Sequence, residues 1–212
     1  MVLRLKKRGL LVGGPPCNSW VWINSATHGR KKSRIFGNHR LQYVADATAI
    51  TARFVLLGLI AIARDAFFLA EQPSSSVMPS FPYMVHMATV LAPLFWGKVR
   101  FPMGAFGHPN TKPTVLFGTL PYIMDFKRKL SARDKRRIDN NKKNKKFETV
   151  RKTISKTSGK KQVTGSHGLK RSAAYPRRFA KFLADKHLEF ADTWRPVLEG
   201  ANAMSRASHL NV

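Results

Sequence analysis

The run Gly13-Gly14-Pro15-Pro16-Cys17 constrains the backbone of this chain more tightly than any other segment. Each proline fixes its own φ, and Pro15 is restricted again because a proline follows it. The apolar run 9–12 leads into this corner and reads as a buried β-strand, residues 10–12, ending in a glycine turn. Cys17, the sole cysteine, falls just beyond a rigid corner at the lip of a sheet, where a nucleophile is useful. The competing reading is a small buried hydrophobe, the commonest fate of a free thiol.

Downstream, strand-like and helix-like segments alternate. Residues 41–64, rich in alanine, leucine and isoleucine and free of proline, predict a long helix. The compact apolar run 66–70, followed by Glu71-Gln72-Pro73, predicts a second buried parallel strand. A helix is predicted over 82–91, with Pro82 in its first turn and Pro93 closing it. Residues 98–101 and 115–118 read as further short strands. This β-α-β-α-β rhythm predicts a parallel sheet with helices on its faces. A hydrophobic content of 43% is enough for a packed core.

The most apolar stretch, 54–63 between Arg53 and Arg64, is about half of the roughly 20 residues a membrane-crossing helix needs, so no transmembrane segment is expected. The basic start (Arg4, Lys6, Lys7, Arg8) precedes an apolar run too short for a secretory leader. A single cysteine cannot form an internal disulfide, which points to a reducing, intracellular compartment. His28, His39, His86 and His108 form no zinc-ligand spacing with it, so no metal site is expected.

The net charge of +27 implies a polyanionic partner, nucleic acid first and an acidic membrane surface second. A polar loop over 24–40 carries Arg30, Lys31, Lys32 and Arg34 as candidate phosphate contacts. After Phe126 come Lys127, Arg128, Lys129, Arg136, Arg137, Lys142, Lys143, Lys145 and Lys146, candidates of the same kind. So one-sided a block predicts a self-repelling, low-order tract over 126–168. Order is expected to return over 169–212, where Tyr175-Pro176 opens a helix. Its Phe179, Phe182, Leu183 and Phe190 share one face and dock on the core. Residues 1–125 form the α/β core in this division. The basic clusters fit a nuclear location and equally fit phosphate contacts.

Three ordered segments resemble the catalytic half of the cytosine-C5 DNA methyltransferase family. Gly13-Gly14-Pro15-Pro16-Cys17 is similar to its nucleophile motif, with Asn18 where the family has glutamine. Phe68-Leu69-Ala70-Glu71-Gln72-Pro73 is similar to a strand that ends in Glu-Asn-Val, with Gln72-Pro73 replacing the last two residues. Residues 106–118 resemble a third motif, in which Lys112 fills the first of two basic positions and Thr114 the second. The resemblance covers roughly 9–120. It implies a partial Rossmann-like, methyltransferase-type, mostly parallel sheet and S-adenosylmethionine as cofactor. The family's aromatic-any-Gly-any-Gly cofactor loop is not found in the sequence, so a second chain supplying that half is a further expectation.

In that family a cysteine thiolate adds to cytosine C6, and the ring becomes electron-rich at C5. By resemblance Cys17 is the nucleophile, Glu71 the acid that activates the ring at N3, and Lys112 the electrostatic helper. A duplex substrate would also require base flipping. Taken singly, Glu71 equally reads as a cap for Ser74-Ser75-Ser76 or an arginine partner, and Lys112 as one more basic surface residue. Two functions follow. One is cysteine-dependent cytosine methylation on nucleic acid, DNA ahead of RNA. The other is a non-catalytic DNA- or RNA-binding protein that keeps the fold and binds through its basic tract. A module for an acidic protein partner is a third reading.

Overall fold

The computed structural model describes residues 2–144, 147–154, 159, 161–165 and 172–191. It is a mixed α/β structure. A four-stranded sheet contains β1 (Leu10–Gly13), β2 (Phe67–Pro73), β3 (Gly97–Pro102) and β4 (Pro113–Gly118) in the order β1-β2-β4-β3. Around it lie α1 (Ser25–His28), α2 (Gln42–Ala63), α3 (Pro82–Leu91), α4 (Ala132–Lys143) and α5 (177–191). A separate hairpin pairs β5 (Val150–Ile154) with β6 (Lys161–Gly165).

β1 and β2 are parallel, whereas β4 is antiparallel to both β2 and β3. The sheet is therefore mixed, which corrects the expectation of a mostly parallel one. The reason is local. Only residues 103–112 separate β3 from β4, too few for a crossover helix, so β4 must turn back beside β3. Strands β1, β2 and β3 consequently share one direction and β4 alone opposes them.

β2 and β4 are buried on both faces, and their side chains alternate between two cores. Phe68, Ala70, Val115 and Phe117 face a cluster with Phe54 of α2 and Met84 and Met87 of α3. Leu69 and Leu116 face the other side, with Val99, Phe101, Phe106, Phe126 and, from α5, Phe179 and Leu183. On the first side α2 approaches closely at Gly58, where any Cβ would run into Phe68 and Met87.

Helix α2 is a continuous 22-residue helix with a mean hydropathy of 1.7 over its most apolar stretch. By length and composition it could cross a membrane, unlike the ten-residue stretch read from the sequence. Val44, Ala47, Thr51, Phe54, Val55, Gly58 and Ala61 give it a buried face, and it packs on β1, β2 and α3.

The basic tract expected to be of low order holds α4. Ser131 caps it through its side chain, and Asp134 returns the bond to the Ser131 backbone N–H, a complete capping box. Ile138 anchors the helix in the interior. These contacts offset the repulsion among Arg133, Lys135, Arg136, Lys142 and Lys143, which are exposed. Lys145 and Lys146 lie outside the described residues, as do 166–171 and 192–212.

Candidate functional site

The carboxyl ends of β1 and β2 deliver the first two candidate residues to one edge of the sheet. β1 ends at Gly13 and passes through Pro15-Pro16 to Cys17; Glu71 lies near the end of β2. Register pairs Gly13 with Ala70, and Pro73 with Thr114 at the start of β4. The reversal of β4 puts its amino end, and Lys112 just before it, on the same edge. A parallel β4 would have carried Lys112 to the opposite end. The outer ends of strands in open α/β sheets are where ligands commonly bind.

The corner is pinned from below. Buried Gln72 donates to the Pro15 carbonyl at 2.7 Å and accepts from the Ser76 hydroxyl at 3.0 Å. The Cys17 carbonyl accepts from the N–H groups of Trp20 at 2.9 Å and Val21 at 3.2 Å. Cys17 is half-buried, so its thiol is neither sealed in the core nor fully exposed. Gln72, a departure from the resembling motif, thus holds the cysteine turn.

Glu71 is buried, with 6% of its surface exposed. Its Oε2 accepts a 2.8 Å hydrogen bond from the Tyr175 hydroxyl, and its Oε1 has no partner among the described residues. Burial pushes the carboxyl above the usual carboxylate range, against the pull of the Lys112 ammonium and the Tyr175 hydrogen bond. Burial also raises the Cys17 thiol, helped by the Glu71 charge. Its own backbone hydrogen bond and Lys112 pull it down. Cys17, Glu71 and Lys112 are therefore within electrostatic reach of one another.

Lys112 sits at φ 39°, in the left-handed region that a residue with a Cβ seldom adopts. Its carbonyl accepts from the Met103 N–H at 3.0 Å and from the Thr114 hydroxyl at 3.0 Å, which hold that conformation. Thr114 is not a second cation but a brace for the first.

Tyr175 is the site residue that sequence reasoning missed, because it acts across 104 positions of chain. Lys112 Nζ lies 5.0 Å from the Tyr175 ring centre, and the ring stacks on Phe179 at 5.7 Å. A Cβ at Gly14 would strike the Tyr175 hydroxyl, so only glycine lets the two segments meet. His108 fixes the approach: its Nδ1 lies 3.1 Å from the Asn110 nitrogen and 3.0 Å from the Asn110 carbonyl oxygen, and its Nε2 3.3 Å from the Ser172 carbonyl oxygen. Burial lowers its pKa, which favours the neutral ring.

The candidate phosphate contacts separate into two groups. Lys31, Lys32, Arg34, Lys127, Lys129, Arg136, Lys142 and Lys143 are exposed. Arg30 is 1% exposed and belongs to the core, which corrects its reading as a phosphate contact. It donates to the carbonyls of Ile35 and Val44 and to the Thr48 hydroxyl, over the Trp20 ring at 3.7 Å. Arg137 is committed to the carbonyls of Gly104 and Gly107, both at 2.7 Å. Arg128 lies across the rings of Phe106 and Phe182.

The space beside Gly13 is filled by Phe54 and that beside Gly14 by Tyr175, so neither glycine forms an open cradle. Among the described residues, no cluster of three or more His, Cys, Asp or Glu could hold a metal ion. Neither family models, curated proteins nor solved structures yield a match to this chain.

Proposed function

We propose that the chain is a nucleic-acid-associated, methyltransferase-like protein whose Cys17, Glu71 and Lys112 engage a pyrimidine base. The carrying observation is their convergence, from three separate segments, on one sheet edge around a buried carboxyl whose proton affinity burial raises. In this reading Cys17 loses its thiol proton to solvent and its sulfur bonds to C6. The C5=C6 π pair moves to make a C4=C5 double bond, and the charge arriving at N3 takes the Glu71 proton. Lys112 steadies the carboxylate left behind. Tyr175 occupies the place next to Glu71 that a base ring needs, so it acts as a displaceable cap. Methyl transfer to C5 would require S-adenosylmethionine held by a second chain or by residues beyond those described.

The test is a covalent adduct with an oligonucleotide containing 5-azacytosine, whose ring nitrogen makes C6 electron-poor enough to add a thiol unaided. Wild-type protein is expected to give an adduct stable to denaturing electrophoresis, and Cys17→Ala none. An adduct that persists in Cys17→Ala, or is absent from wild type, overturns the reading. Exposed cations along α4 favour a second one, nucleic-acid binding without chemistry. It requires binding that ignores Cys17→Ala and collapses when Lys135, Arg136, Lys142 and Lys143 are neutralised together.

A further inference from the structure

A cleft of about 540 Å³ opens between the β3–β4 loop, the first turns of α4 and the start of α5. Gly107, Arg133, Asp134, Arg137, Arg177 and Arg178 line it. Asp134 is already engaged: Oδ2 accepts from the Ser131 N–H and hydroxyl, and Oδ1 from Arg137 at 3.1 Å. With the Arg137 guanidinium also on two carbonyls, this pair is a neutral, rigid wall. Arg133, Arg177 and Arg178 are exposed and form no ion pair with a described residue. Three guanidiniums around one concavity, of which Arg178 alone feels the Asp134 carboxylate, repel one another and lose that repulsion when an anion enters. Their forked N–H groups match phosphate oxygens in pairs. The volume exceeds the need of one small anion and lies in the range of nucleotide-sized ligands.

We propose that this cleft binds backbone phosphates of a nucleic acid. It deepens the base-handling reading and rests on that reading only for which strand is held. Tyr175 on Glu71 and Arg178 in the cleft are three residues apart, at most roughly 11 Å of extended chain. Phosphates recur about every 3.4 Å along one strand of a duplex. On that spacing, a strand with a base at Cys17 would have neighbouring phosphates within reach of the cleft. The same β3–β4 loop carries Lys112 to the base and Gly107 to the phosphates, and residues 172–178 carry Tyr175 to one and Arg177 and Arg178 to the other. The two sites share their scaffold.

The test measures affinity for a single-stranded oligonucleotide against salt for wild type, Arg177→Gln/Arg178→Gln, and the charge-matched Arg53→Gln/Arg64→Gln. The cleft variant is expected to bind about tenfold more weakly, and its log–log salt slope to shallow by about 0.7 for each phosphate it no longer neutralises. The control is expected to change less than about threefold, because Arg53 and Arg64 are exposed on and beside α2. Equal weakening in both variants overturns the proposal, since net charge alone would then explain the binding. A second arm titrates inorganic phosphate and pyrophosphate as competitors. Displacement of the oligonucleotide at micromolar concentration would also overturn it, marking a site for a free phosphoanion. Circular dichroism spectra that match wild type exclude misfolding as the cause of weaker binding. None of these readouts needs Cys17. A failed adduct with an intact cleft effect sinks the chemistry and leaves the phosphate site standing.

Discussion

Arg30 and Glu71 are both buried ionisable side chains, one beside α2 and the other at the sheet edge, and their surroundings differ in kind. The Arg30 guanidinium makes three hydrogen bonds between 2.8 and 2.9 Å and rests on Trp20. Only its Nε lacks a partner, and burial lowers its pKa merely to about 10, so it stays charged. Glu71 has one hydrogen bond, one orphan oxygen and a carboxyl that burial drives towards its neutral form. A buried charge that the protein satisfies holds structure together. One left half-satisfied is held ready for something else.

Replacing Arg30 with methionine would break the comparison most severely if it proved harmless. The Ile35 and Val44 carbonyls would lose their charged donor, and the loop over 30–40 its attachment to α2. A loss of about 3 kcal/mol in urea unfolding is expected, from charge-assisted bonds each contributing about 1.5–3 kcal/mol less what methionine regains by packing. A loss below about 1 kcal/mol would make Arg30 no more structural than a surface cation.

Gly14→Ala comes next. The added methyl drives Tyr175 off Glu71 and overpacks the corner, with an expected loss of about 1–3 kcal/mol. In a Tyr175→Ala background the same Gly14→Ala change should cost much less, because the colliding hydroxyl is gone. An unrelieved loss would place the strain in the backbone rather than in the meeting of the two segments. In the adduct assay Tyr175→Ala alone is expected to react faster than wild type, as a displaceable cap requires.

How much of this was legible in the sequence depends on how far each residue's partner lies along the chain. A proline-free apolar segment located α2 to within about a residue, Pro82 and Pro93 bracketed α3, and the Pro-Pro corner located the Cys17 turn. The direction of β4 was not legible, since a short apolar strand buried on both faces reads the same either way. Its reversal follows from the ten-residue link to β3, and with it the placement of Lys112. Tyr175 had only the signal of an aromatic before a helix-opening proline, and its role depends on Gly14 being a glycine far upstream. Arg30 sits in a run of cations identical to its exposed neighbours by composition. What set it apart is Val44 and Thr48, on a helix face that only the fold turns towards it. The order in α4 was hidden for the opposite reason: a net-charge argument outweighed the local Ser131–Asp134 capping box.

A smaller effect separates Arg30 and Glu71 by pH. The folded carboxyl of Glu71 binds its proton more tightly than the unfolded one, so the folded state holds more protons. Stability therefore falls as pH rises from the ordinary carboxylate value through the raised folded one. Glu71→Gln removes that dependence. Relative to wild type, the variant is expected to gain stability as pH rises above the ordinary carboxylate value, while losing adduct formation. A variant that loses stability relative to wild type over that range would mean that Glu71 folds as a carboxylate, with Lys112 outweighing burial.

The smallest effect is expected at Arg128, which makes an exposed version of the contact that Arg30 makes in the core. Its guanidinium lies 4.5 Å from the Phe106 ring centre and 4.2 Å from that of Phe182, open to water on its other side. A cation over an aromatic face contributes about 0.5–1 kcal/mol when solvated and more when water is excluded. Arg128→Ala should therefore cost no more than about 1 kcal/mol in urea unfolding, and Arg128→Lys less, since the ammonium keeps the charge but not the planar stack. The contact ties the start of the basic tract to α5 through Phe182, so the destabilisation should appear as earlier amide exchange in α5 than in α2. Uniform exchange across both helices would show that α5 is held by its other contacts, among them Phe179, Leu183 and the Tyr122–His187 hydrogen bond, and that Arg128 is free to serve a phosphate instead.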